Sequence, residues 1–210
     1  MGVSERRQRE KRARRTSIMD AAKRIFSAKG FNAATMEEIA QAAELSPATL
    51  YLYFKNKNDL YASLNLRMLE FLVKQLKELA GREDLGPREK VRGFSDALYG
   101  VYQEDPLILF NVFHLQSTQT LKELAARTTA KINQLSGQAL GLIAQVFREG
   151  MEAGQFRQVH PMAMADVVWG CFSGLVLWED NKKLFDPKKQ FLKPTLDLAM
   201  ETLVRGLAVE

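Results

Sequence analysis

Apolar residues recur along this chain at spacings of three and four, and no run shows sustained alternation of apolar and polar positions. Spacings of that kind predict amphipathic helices, whereas strands need a period of two. Ile18, Ala21, Ala22, Ile25 and Phe26 mark a first helix, whose start is left open within a preceding run of charged residues. Gly30 is positioned to end it, because glycine takes positive φ without a Cβ clash, and Phe31 then returns to the core. Thr35 followed by Glu38 has the form of a capping box and opens a second helix, with Met36, Ile39, Ala40 and Ala43 on one apolar face. Ser46 as N-cap and Pro47 at the first helical position open a third, anchored by Leu50 and Phe54 four residues apart. Asn56 with Asp59 caps a fourth and longer helix through Leu60, Leu64, Met68, Phe71, Leu72 and Leu76.

The segment 81–87 is polar and contains two glycines and one proline, so it reads as a loop. Beyond it the pattern predicts helices over about 88–103, 106–116, 121–150, 162–179 and 188–207, with a loop over 154–161. The expected fold is all-α. A small N-terminal helix-turn-helix module occupies residues 1–60 and a larger helical body occupies 61–210, with the fourth helix bridging them.

The second and third helices, joined by a tight turn, have the layout of a DNA reader. A recognition helix needs one apolar face to hold it down and an opposite face free to enter the major groove. Leu50 and Phe54 supply the first and would pack on Met36, Ile39 and Ala43. Pro47, Ala48, Thr49, Tyr51 and Tyr53 are left toward the groove or its rims. Thr49 suits a base edge or a thymine methyl, and tyrosine hydroxyls suit phosphate oxygens. Lys57, at the start of the fourth helix, is placed for a backbone phosphate. The third helix has no Arg, Asn or Gln for bidentate base pairing, so base contacts are few and DNA shape contributes to readout.

Charge sharpens this picture. The formal net charge is +5, and residues 1–16 alone carry Arg6, Arg7, Arg9, Lys11, Arg12, Arg14 and Arg15 against Glu5 and Glu10. From residue 17 onward basic and acidic side chains balance, so the whole excess lies in an arm directly ahead of the DNA-reading module. Each phosphate that such an arm neutralises releases counterions and favours binding. The remaining composition narrows the class. Hydrophobic content of 46% fits a globular protein, and Cys171 is the single cysteine, which excludes an intrachain disulfide and suits a reducing cytoplasm. No stretch approaches the ~18 consecutive apolar residues of a membrane span, and the N-terminal charges are not followed by the apolar core of a secretory signal. We therefore expect a cytoplasmic protein with no membrane partner. His114 and His160 are the only histidines, and there is neither a glycine-rich phosphate loop nor metal-ligand spacing. No catalytic residue, metal site or cofactor is assigned, and an enzyme is disfavoured.

Residues 18–64, IMDAAKRIFSAKGFNAATMEEIAQAAELSPATLYLYFKNKNDLYASL, resemble the DNA-binding domain of the TetR family of bacterial transcriptional regulators nearly without gaps, including the TLYLYF-x-NK-x-x-L segment. The chain departs from the family at Glu44, where glycine is usual in the turn, and at Leu52, where polar or aromatic residues are common. Carried over residue by residue, the resemblance implies DNA contacts from Thr35, Pro47, Thr49, Tyr51, Tyr53 and Lys57. It also implies a homodimer that binds a palindromic operator on double-stranded DNA, represses a neighbouring gene, and lets go when a small molecule enters the C-terminal domain. The last two helices would build the dimer. Ala163, Val167, Gly170, Gly174 and Leu177 on one, with Leu192, Leu196, Met200, Leu203 and Leu207 on the other, are the expected contributors.

The C-terminal body also carries aromatics suited to an effector pocket. Tyr99, Tyr102, Phe110, Phe113, His114, Phe147, Trp169 and Phe172 are the candidate ligand-binding residues, and the lack of a charged cluster among them points to an apolar or amphipathic effector. Two other readings stand beside the ligand-released repressor. One is an activator of the same family; the other is an architectural DNA-binding protein without effector control, which would bind with strong salt dependence and little sequence dependence.

Overall fold

The computed structural model describes residues 3–106, 124–185 and 190–209. Among them are eight helices: α1 (Val3–Ala33), α2 (Met36–Ala42), α3 (Pro47–Tyr51), α4 (Lys57–Ala80), α5 (Pro87–Glu104), α6 (Ala126–Glu152), α7 (Pro161–Phe185) and α8 (Leu192–Leu207). The all-α expectation holds. The one β-type pairing among the described residues is an isolated bridge between Phe156 and Ala208, closed by Arg157 N–H to Leu207 O at 2.8 Å. The expected helix over 106–116 lies outside the described residues. Among the described residues, those up to 66 together with 124–129 form one compact unit, and 67–106, 130–185 and 190–209 form the other.

In the N-terminal unit, helix ends follow local chemistry. Gly30 has φ 76 and ψ 166, a conformation open to glycine, and it interrupts α1 where the sequence placed the stop. Thr35 and Glu38 form the full capping box: Glu38 N–H donates to Thr35 Oγ1 at 3.2 Å, and Thr35 N–H donates to Glu38 Oε2 at 3.1 Å. Ser46 caps α3 by accepting Thr49 N–H at 3.2 Å, and Asn56 caps α4 by accepting Asp59 N–H at 2.8 Å. Ile18, Ala22, Phe26, Ile39, Ala40, Leu50, Phe54 and Leu60 are all buried and form one core. Phe26, Phe31 and Tyr61 close it as an aromatic cluster, with ring centroids 4.6–5.6 Å apart.

The C-terminal unit is built around α5, α6, α7 and α8. Leu192, Leu196, Met200, Val204 and Leu207 are buried along one face of α8. Polar links tie α8 to α5: Ser95 Oγ donates to Asp197 at 2.6 Å, and Arg92 Nε to Glu201 at 2.6 Å. This corrects the dimer expectation for Leu192, Leu196, Met200 and Leu207. They serve the fold of their own chain, because an apolar stripe at that spacing is taken by the adjacent α5. The outward side of α8 instead carries Leu198, 66% exposed. α8 also begins at Leu192, later than expected. Phe191 N–H donates to the buried carboxylate of Glu179 at 2.7 Å, and Pro194 fits the first turn, where a proline removes no intrahelical bond.

Candidate nucleic-acid interface

The turn between α2 and α3 sets how the recognition helix is presented. Leu45 N–H reaches Ala40 O at 2.9 Å and Glu44 N–H reaches Gln41 O at 3.0 Å. This is the paired hydrogen-bond pattern that ends a helix through a left-handed residue. Glu44 is that residue, with φ 57. The chain thus makes the tight turn with a glutamate where glycine costs least. Below it Leu50 and Phe54 are almost fully buried, together with Met36, Ile39 and Ala43. The apolar contacts read from the sequence therefore fix α3 on α2.

The remaining α3 side chains face away from this core. Pro47 and Ala48 are exposed, Tyr51 is 46% exposed, and Thr49 and Tyr53 are half-buried. Thr49 Oγ1 lies 2.9 Å from Ser46 Oγ, so the two hydroxyls are bonded to each other as well as to the cap. Thr35 is exposed at the N-terminal end of α2, its Oγ1 accepting within the capping box. Lys29 pairs with Glu38 across this corner and, with the Thr35 N–H, holds the Glu38 carboxyl below the usual carboxylate range.

Lys57 is placed differently from the sequence reading. Its ammonium donates to Phe31 O at 2.7 Å, Ala34 O at 2.9 Å and Asn32 O at 3.2 Å, and it sits 4.5 Å from the Phe31 ring centroid. Three carbonyl acceptors match the three donors of an ammonium, so a phosphate could gain Lys57 only by displacing one of them. In this structure Lys57 ties the end of α1 to the start of α4.

Arg15 is the second residue whose role changes. Read as part of the basic arm, its guanidinium instead donates to Tyr53 O at 3.0 Å and Ser63 Oγ at 2.7 Å, and it lies 4.1 Å over the Phe54 ring. It locks the exit of the recognition helix to α1 and α4. A signal was present, since Arg15 precedes Ile18 and Met19 by three and four positions and so lies on the buried stripe of α1. Elsewhere in the arm, α1 begins at Val3, and Arg6, Arg7, Arg9, Lys11, Arg12 and Arg14 are exposed along it.

The candidate effector residues divide. Phe147 is fully buried between Phe94 and Phe156, each ring centroid 6.1 Å away, and belongs to the core. Phe172 on α7 is also fully buried, 5.6 Å from the half-buried Trp169, and Tyr102 on α5 is buried, stacked at 6.2 Å on the half-buried Tyr99, so Phe172 and Tyr102 belong to the core as well. The Tyr102 hydroxyl lies 3.5 Å from Asp180 Oδ1. Phe110, Phe113 and His114 lie outside the described residues. A cleft of about 580 Å³ between α4 and α5 is lined instead by Gln75, Leu79, Arg82, Arg92 and their neighbours, a mixed charged surface without the candidate aromatics.

Comparison with known proteins agrees with this layout. The family model for bacterial regulatory proteins of the tetR family matches residues 18–64. The fatty acid metabolism regulator protein of Bacillus subtilis is 24% identical over 201 residues, covering 95% of this chain and 98% of that protein. Among solved structures, the TetR-family regulator PfmR from Thermus thermophilus superposes with a TM-score of 0.74 at 23% identity, covering 91% of this chain and 99% of that one. The regulator FadR from Bacillus subtilis, solved in complex with stearoyl-CoA, gives a TM-score of 0.69 at 21% identity over 91% of this chain and 98% of that one.

Proposed function

We propose that the chain, as a member of the TetR family of bacterial transcriptional regulators, is a homodimeric repressor released from a palindromic operator by an acyl-chain-like effector. The carrying observation is the α2–α3 pair. Buried Leu50 and Phe54 hold α3 down, the left-handed turn at Glu44 sets its angle, and Pro47, Ala48, Thr49 and Tyr51 are left facing outward. Pro47, Thr49, Tyr51 and Tyr53 are the proposed groove and rim contacts, with Thr35 at the start of α2. The exposed arginines of α1 add contacts that depend on charge and not on sequence.

The dimer proposal rests on α7. The most apolar 18-residue window within Pro161–Lys182 has a mean hydropathy of 1.4, yet only 28% of that window is buried within the chain. Val167 and Trp178 stand 42% and 62% exposed, and a Cβ added at Gly170 or Gly174 would meet no atom within 4 Å. A second copy would cover this face, with small residues permitting close approach. Two recognition helices held about 34–36 Å apart then enter successive major grooves. Release follows if the effector favours another spacing, and linkage makes effector and operator mutually antagonistic. The helix α4, continuous from the DNA-binding unit into the C-terminal unit, is the proposed lever. The acyl class of effector is supported by the likeness to a regulator solved with stearoyl-CoA. This reading makes the protein a cytoplasmic regulator and not an enzyme.

Two measurements test the proposal. Sedimentation equilibrium should give a dimer, and Val167→Glu should give a monomer that has lost tight operator binding. Titrating stearoyl-CoA into a fluorescent operator complex should lower its anisotropy. A complex that persists at saturating stearoyl-CoA would reject the acyl-chain effector, and a monomeric wild type would reject the dimer.

A further inference from the structure

The outermost face of the recognition helix is apolar. Leu50 is fully buried, and at 100° per residue Ala48 and Leu52 lie opposite it, one turn apart on the same side. Leu52 is helical in backbone (φ −69, ψ −21), so the periodicity carries through to it. It is 80% exposed, the highest value among the exposed large apolar side chains described. Pro47 precedes this face and Tyr51, 46% exposed, borders it.

The short hydroxyl side chains at the start of the helix have little donor capacity left for bases. Ser46 and Thr49 together carry two hydroxyl hydrogens, and one lies in the bond between their oxygens at 2.9 Å. Ser46 Oγ also accepts Thr49 N–H. The remaining hydroxyl hydrogen is the only side-chain donor left from Ser46 to Thr49, and no guanidinium or carboxamide is present from Ser46 to Phe54. An isolated leucine on a surface carries no meaning by itself. This one crowns the element that the proposed function places in the major groove, where the apolar feature that distinguishes one base pair from another is the thymine 5-methyl group.

We propose that this protein reads its operator mainly through thymine methyl groups packed against Pro47, Ala48 and Leu52, with Leu52 as the specificity-determining residue. The proposal rests on the DNA-reading assignment of α3. It predicts half-sites whose informative positions are thymines. It also predicts that discrimination survives loss of base-edge hydrogen-bond donors but not loss of the methyl groups.

Uracil provides the test, because it pairs as thymine does and keeps the O4 acceptor while lacking the 5-methyl. The probe is the consensus duplex selected by the wild-type protein from random DNA, made with each thymine replaced in turn by uracil. Affinity should fall about four-fold for each contacted methyl lost, the equivalent of one buried methylene-sized group. Leu52→Ala should bind the thymine duplex more weakly and show no further loss at the position that Leu52 covers. Its exposure leaves the core untouched by the substitution, and circular dichroism checks this. Wild-type affinity that is unchanged by uracil at every position would overturn methyl readout while leaving the operator, and so the regulator reading, intact. Full uracil sensitivity in Leu52→Ala would remove Leu52 as the determinant. Failure to select any consensus would reject the regulator reading itself.

Discussion

Replacing Glu44 with glycine should make this protein more stable, which separates the backbone role of the position from its charge. Glu44 sits at φ 57 in the two-bond turn that closes α2. A non-glycine residue in the left-handed region costs roughly 1–2 kcal/mol. Glycine relieves that cost but adds unfolded-state entropy worth about 0.5–1 kcal/mol in the opposite direction. The net expected gain is about 1 kcal/mol, which for a chain of this size raises the melting temperature by roughly 2–4 °C. Glu44→Gln provides the control, since it removes the charge and keeps the strained backbone. Thermal melts and urea titrations should show the gain for Glu44→Gly alone. Both variants should bind DNA more tightly at low salt, because each removes an exposed carboxylate from the turn preceding the recognition helix. A Glu44→Gly protein no more stable than wild type, or a Glu44→Gln protein equally stabilised, would refute the strain argument.

Tyr51→Ala should weaken operator binding about ten-fold or more, in the range of one lost interface anchor, with dimer and melting temperature unchanged; unaltered affinity would remove Tyr51 from the interface. Deleting residues 2–14 should lower affinity for all DNA sequences and flatten the dependence of binding on salt, read from anisotropy at several salt concentrations. Extending the deletion through Arg15 should also destabilise the N-terminal unit, by roughly 1.5–3 kcal/mol for hydrogen bonds made by a charged group. Equal melting of the two truncations would mean that Arg15 is not structural. Arg92 first, and then Arg205, hold the Glu201 carboxyl down to about 2. A depressed carboxylate contributes stability that is present above its unfolded value and is lost as pH falls toward the folded one. The destabilisation caused by Glu201→Gln should therefore be largest near neutral pH and shrink between about 4.5 and 2, as followed by urea melts.

The parts legible in the sequence were those decided within a few residues. Thr35 with Glu38, Ser46 with Pro47, and Gly30 each announce a helix end because the groups that satisfy the backbone lie within one turn. Leu50 and Phe54 announce the buried side of α3 in the same way. Partners far apart in sequence were not legible. Lys57 finds its carbonyls 23–26 residues upstream and Arg15 finds its acceptors 38 and 48 residues downstream, so both basic side chains looked free for phosphate. On α8, both Leu196 and Leu198 are apolar, and only packing against α5 decides that the first turns inward and the second outward. Phe147 met the same ambiguity, since an aromatic at helical spacing suits a pocket wall and a closed core equally well.

Selection of bound fragments from random DNA at near-physiological salt tests the central claim most directly. A specific dimeric regulator should yield a palindromic consensus with half-sites about one helical turn apart. Salt-sensitive retention of DNA with no shared sequence would contradict that claim and indicate a protein that binds the phosphate backbone without reading it.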